Sequence, residues 1–183
     1  MTDFVGKDVK YNFLNKLDPL PKMIQKALEL YHTDEQPGPG DNPVIMAWVK
    51  ELGDPDVKSV YTADSVAWCG LFMAVVAKRA GKPGVEKPLW ALNWGHFGTK
   101  AGQPMLGDVL TFIRPEGGHV GLYIGESQAS FHVLGGNTSD TVTFAEIAKT
   151  RLRAVRRPPY NVQPATVKPY LLGSNGKFST DEA

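Results

Sequence analysis

The stretch DSVAWCGLFMAVVAKRAG, residues 64–81, decides how the rest of the chain is read. From Val66 to Ala80 it is apolar almost all round, which marks a buried central helix rather than a surface one. Asp64 or Ser65 is placed to cap its start, and Gly81 closes its end. Cys69, the single cysteine of the chain, then falls within about the first turn. Two readings follow. Free cysteine is among the most buried residue types, so Cys69 can be plain packing. At a helix front, however, backbone N–H groups and the helix dipole favour the thiolate and lower a cysteine pKa, which would make Cys69 a nucleophile.

Upstream, residues 1–18 have weak patterning and read as an N-terminal arm. Asp18–Pro19 is a cap-and-proline pair that opens a helix through PLPKMIQKALELYH, residues 19–32. Asn42–Pro43 repeats the device for PVIMAWVKEL, closed by Gly53. Residues 81–104 are rich in glycine, proline and tryptophan and read as a long structured loop with one short helix. From Gly107 the apolar period changes to two. DVLTFIR (108–114), HVGLYIG (119–125), SFHVLG (130–135) and RLRAVRR (151–157) read as antiparallel strands, and FAEIAK (144–149) is compatible with a short helix. Helices followed by a β-meander make an α+β fold. The domain is expected over 19–160, with 161–183 as an extended tail.

Composition excludes several classes. At 183 residues the chain suits one domain that buries about two-thirds of its unfolded surface. A net charge of +1 offers no global attraction for nucleic acid. One cysteine cannot form an internal disulfide, and the four histidines are too scattered for zinc-ligand spacing, so no metal or cofactor is expected. No run approaches the ~20 apolar residues of a membrane span. The opening MTDFVGKDVKYNF lacks a basic segment followed by an apolar run, so no Sec-type signal is expected. Synthesis in the cytoplasm and delivery by another machine is the corresponding expectation.

A nucleophilic thiol needs a base, and the base needs a partner that orients it. His32 ends a helix, His96 lies in the tryptophan-rich loop, and His132 is mid-strand. His119 opens a strand directly after EGG, where Gly117 and Gly118 leave one side of its ring accessible. If ESQA or its last three residues form the turn, Gly125 pairs near Ser130 or Phe131, and His119 faces Gly136 or Asn137. His132 then faces Tyr123 or Ile124, about 13–16 Å farther along the strands. Asn137 is therefore the neighbour that can accept the imidazole N–H. Asp140 can do so only if the GGNTSD turn folds back.

The order AWCGLF, LGDVLTFIR, GGHVGLYIGE, VLGGNTSD resembles the CHAP and NlpC-type papain-like cell-wall hydrolases. EQPGPGDNPVI, WALNWG and RRPPY are similar to further segments of one bacterial and phage subfamily, and the resemblance covers roughly residues 20–158. It implies a papain-like fold, with Cys69 as nucleophile, His119 as general base and acid, and Asn137 as the polar third member. The implied reaction is hydrolysis of a peptidoglycan amide bond, by amidase or endopeptidase action, in a phage lysin or a delivered antibacterial effector. An immunity protein or a delivery apparatus is then a further candidate partner. Trp68, Trp90, Trp94 and His96 are candidate walls of the cleft, with core packing the alternative for each tryptophan, and Asp64 and Gly118 complete the candidate substrate-binding set. Relatives often carry glutamate where this chain has Gly135, which leaves orientation of the base to Asn137. A papain-like acyltransferase and a non-catalytic cell-wall binding module are the rival readings.

Overall fold

The period-two half of the chain builds one antiparallel sheet. A computed structural model of the protein describes residue 4 and residues 6–173. The strands are β1 (Thr99–Lys100), β2 (Val109–Arg114), β3 (Gly117–Glu126), β4 (Ser130–Thr138), β5 (Thr141–Ala148) and β6 (Leu152–Arg157). They lie in the order β1-β6-β2-β3-β4-β5. Both faces are covered. Val109, Val120, Leu122, Ile124 and Leu134 join the larger core, whereas Leu110, Phe112, Tyr123, Phe131 and Val133 form a second cluster.

The four strands expected from alternation are present, and FAEIAK corrects to part of β5. Val133 pairs with Ala145 and Phe131 with Ile147, so this segment completes the ladder on β4. A run that carries Val142, Phe144 and Ile147 suits a strand, and beside the open edge of β4 it gains a ladder of backbone bonds.

Four α-helices precede the sheet: α1 (Lys22–Leu28), α2 (Pro43–Leu52), α3 (Pro55–Val60) and α4 (Cys69–Arg79). Asn42 caps α2 as expected, accepting the Val44 N–H at 2.7 Å, and Gly53 ends it with φ 71°. Asp54–Pro55 uses the same device to start α3. The cap expected at Asp18 does not form, and α1 begins only at Lys22. A residue before proline is pushed out of the helical region, and Asp18 and Leu20 both precede prolines. The first helix therefore has to wait until the second proline is passed.

α4 is the axis of the molecule. Every residue from Cys69 to Ala77 is buried. Trp48 of α2 packs against Trp68 and Phe72, with ring centroids 5.9 and 6.4 Å apart. Among the described residues, no helix is long and apolar enough to cross a membrane.

The two ends pack more closely than weak patterning suggests. Residues 6–16 form a 3-10 helix that buries Tyr11 and Leu14, and Tyr11 stacks on Phe144 with centroids 3.9 Å apart. The tail docks through residue 172: Glu126 N–H donates to Tyr170 O and Leu172 N–H to Glu126 O, both at 2.8 Å. The remainder of the expected tail, 174–183, lies outside the described residues.

His132 sits inside this N-terminal contact. Its Nδ1 is 2.8 Å from the Tyr11 hydroxyl, with Glu146 Oε1 at 4.0 Å and Lys10 bound to that carboxylate at 2.6 Å. Burial depresses its pKa from 6.5 to about 4; the charge of Lys10 acts the same way and that of Glu146 opposes it. Between those values the unfolded chain binds a proton that the folded chain resists. The stability from neutral His132 is thus complete above pH 6.5 and is lost as pH falls towards 4. In thermal melts across this window, His132→Gln should flatten the acid-side fall in Tm relative to wild type.

Candidate active site

Cys69 is the first residue of α4, with Trp68 at the N-cap and no side-chain cap bond. The cap expected from Asp64 or Ser65 is therefore absent. Asp64 instead accepts the N–H groups of Gln36 at 2.8 Å and Asn42 at 2.7 Å, and its own N–H donates to Asp41. At 1% exposure it staples the loop before α2 and has no surface to offer a substrate.

The Cys69 sulfur lies against β3. Backbone N–H groups of Val120, Gly70 and Cys69 itself favour its thiolate, as does the charge of Arg114. Burial outweighs them and pushes the thiol up from its ordinary value, against the lowering expected of a helix front. The placement of the cysteine is as read from sequence, and its resting ionisation is the reverse. Val120 directly follows His119, so the sulfur reaches the peptide beside the candidate base.

His119 is fully buried at the start of β3. The β3–β4 register pairs Leu122 with Leu134 and Tyr123 with Val133, and then a bulge places His132 opposite Gly125. The ladder runs no further than the Leu122–Leu134 pair, so it does not extend to His119 and its expected partners Gly136 and Asn137. The bulge moves His132 one or two residues beyond its expected partners Tyr123 and Ile124, farther from His119 and into the Tyr11 contact.

The segment GGN, residues 135–137, is built for close approach. A Cβ on Gly135 would stand 3.0 Å from His119 Nε2. One on Gly136 would stand 2.6 Å from Phe72 Cβ and 2.8 Å from Trp68 Cζ3. These glycines let the base and the front of α4 sit directly on the β4 backbone. Asn137 is buried with φ 55°, at a point where the β4–β5 ladder shifts register. Asparagine tolerates the left-handed region better than most residues, and a bulge re-aims its side chain. Asp140 is exposed beyond the turn, and its carbonyl accepts the Glu35 N–H at 2.7 Å.

The candidate walls divide. Trp68 and Trp94 are fully buried, their indole N–H groups donating to Glu35 Oε2 at 3.1 Å and Pro88 O at 2.9 Å. They shape the site from within the core. Trp90 is 69% exposed, and His96 is also on the surface. Gly118 is half-buried under Leu92. Glu35, Leu92 and the Val120 N–H are neighbours that sequence reasoning missed. Only Glu35 had a signal, as the first residue of the EQPG segment. Among the arginines of 151–157, Arg157 pairs with Asp108 at 2.8 Å, Arg156 donates to Phe97 O and Arg151 to Ile113 O, while Arg153 is exposed. Among the described residues, no group of three or more His, Cys, Asp or Glu side chains could hold a metal ion.

No protein-family model matches the chain, and no curated protein matches it.

Gly136→Ala should force the front of α4 off β4, costing about 1–3 kcal/mol and about 2–10 °C in Tm. Gly84→Ala, where an added Cβ meets nothing within 4 Å, is the matched control and should leave Tm near wild type by differential scanning calorimetry.

Proposed function

We propose that the protein is a papain-like cysteine hydrolase of the CHAP/NlpC type that cleaves an amide bond in peptidoglycan. One observation carries the reading: the single cysteine opens a buried helix with its sulfur against the Val120 N–H, beside His119 and above the glycine-lined GGN segment. A structural cysteine needs none of these features.

The chemistry follows from the electrostatics. Because burial holds the thiol neutral, the proton leaves Cys69 for His119 as the sulfur attacks the scissile carbonyl. The carbonyl oxygen gains negative charge in the tetrahedral intermediate, and N–H groups at the helix front, including that of Cys69, are donors for it. His119 gives its proton to the departing amine, which leaves an acyl-thioester. It then takes a proton from water, whose attack releases a carboxylate and returns the thiol. Asn137, an uncharged amide, serves to orient the imidazole. The substrate lies in the cell wall, reached through phage lysis or a delivery apparatus.

Mass spectrometry of products from purified peptidoglycan tests this. Wild type should release fragments with one new amine and one new carboxylate, and Cys69→Ala and His119→Ala should each release none. Asn137→Ala should keep turnover but lower kcat by about tenfold or more. A new amide or ester in place of the carboxylate would identify an acyltransferase. Sacculus binding that is equal in wild type and Cys69→Ala, with no product from either, would leave a binding module. In native protein the pH midpoint of Cys69 alkylation by iodoacetamide should lie above that of a free cysteine measured alongside it, since burial raises the thiol.

A further inference from the structure

The loop between α4 and β1 crosses the front of α4 and the start of β3. It is clipped to itself. The Trp94 indole N–H donates to Pro88 O, Asn93 Nδ2 to Glu86 O at 3.1 Å, and Trp90 N–H to Lys87 O at 3.1 Å. Trp94 is fully buried beneath this strap and anchors it.

The strap rests on two glycines. A Cβ on Gly70 would lie 2.7 Å from Leu89 O and even closer to Pro88 O. One on Gly118 would lie 2.5 Å from Leu92 Cδ2 and 2.6 Å from Leu92 Cγ. Gly70 follows Cys69, and Gly118 precedes His119. A single strap therefore leans on both sides of the candidate catalytic pair, and that pair is closed off: Cys69 is 3% exposed and His119 not at all.

The strap's contacts differ in how they can yield. At Gly70 they are backbone carbonyls of a clipped loop, which cannot move alone. At Gly118 the two closest contacts are the end of one side chain, Leu92, with the Phe112 carbonyl farther off at 3.3 Å. Leu92 is 39% exposed, so turning it outward opens no core cavity. Around it the surface is already apolar: Trp90 is 69% exposed, and Ile113, paired with Gly118 across β2 and β3, is 52% exposed. Single exposed leucines are ordinary on a protein surface. Leu92 stands out because its side chain occupies a notch that exists only for want of a side chain at residue 118.

We propose that Leu92 is the movable plug of the Cys69 site and sets its specificity. At rest its side chain occupies the notch over Gly118. Substrate enters by turning it outward, and a small apolar group next to the scissile bond, of alanine size, takes the vacated notch over Gly118 beside Ile113. The strap itself stays clipped. The plug rests on the hydrolase reading, but its action on access to the sulfur can be measured without turnover.

The test compares alkylation of Cys69 by iodoacetamide and by the bulkier N-ethylmaleimide at one pH, with melting curves for every variant. Leu92→Ala should speed alkylation about tenfold, as the open fraction rises, and more for the maleimide. Gly118→Ala should also speed it by pushing Leu92 outward. Its methyl fills the notch, however, so it should lower kcat/KM on alanine-containing stem peptides. Leu92→Ala should instead narrow the preference for alanine over leucine at that position. Unchanged alkylation in both variants, with Tm preserved, would reduce Leu92 to packing. Equal acceleration for both reagents together with a large loss of Tm would also overturn the plug, since it reports general loosening. Hydrolysis that survives Cys69→Ala would defeat the catalytic reading while leaving the alkylation result in place.

Discussion

A side chain on the first turn of a helix can reach the backbone of a neighbouring sheet only where neither surface carries bulk between them. Here that approach is made by glycines at 135 and 136 on β4, with Gly70 and Gly118 allowing the strap to follow. The cost is chain entropy, since glycine loses more freedom on folding than any other residue. It is offset by α4, whose first nine residues are buried and whose aromatic neighbours Trp48, Trp68 and Phe72 interlock above the contact. The bulky core and the bare backbone are two halves of one arrangement, because the first presses the helix onto the second.

That pressing has an electrostatic effect. The dipole of α4 and three backbone N–H groups favour a thiolate at Cys69, yet the same packing strips away the water that would stabilise charge. Desolvation wins in the closed protein. A free thiolate would be open to oxidation and alkylation, whereas a neutral buried thiol is protected. The donors remain in place, ready to act on negative charge when it appears on sulfur or on a substrate oxygen.

Some of this was legible in the sequence because it is local. Asn42–Pro43 and Gly53 mark a helix through the chemistry of the residues themselves, and the alternation in 108–135 requires strands. Hairpin arithmetic brings His119 to Gly136 or Asn137, and the structure sets the adjacent Gly135 against its imidazole. Asp54–Pro55 carries the same local cap signal, and α3 starts from it. The departures are tertiary. β5 forms because β4 needs a partner, and residues 6–16 are helical because Phe144 and His132 receive Tyr11. Asp64 turns from α4 to two distant N–H groups that no local rule connects to it. The glycines of 135–136 are visible as letters, but what they make room for depends on which helix arrives.

The contact of residues 6–16 with β4 and β5 also orders events in time. Tyr11 waits for His132, 121 residues later, and Lys10 for Glu146, 136 residues later. At about 5–20 residues per second, a ribosome takes roughly 7–27 s to supply the second partner. Over that interval the early segment has nothing to dock on. The surface that it will cover on β5 does not yet exist. Closing so long a chain segment adds entropy only logarithmically but delays the contact kinetically. The N-terminal element is therefore among the last to settle, and whatever engages a newly made chain meets residues 6–16 undocked before it meets the finished sheet.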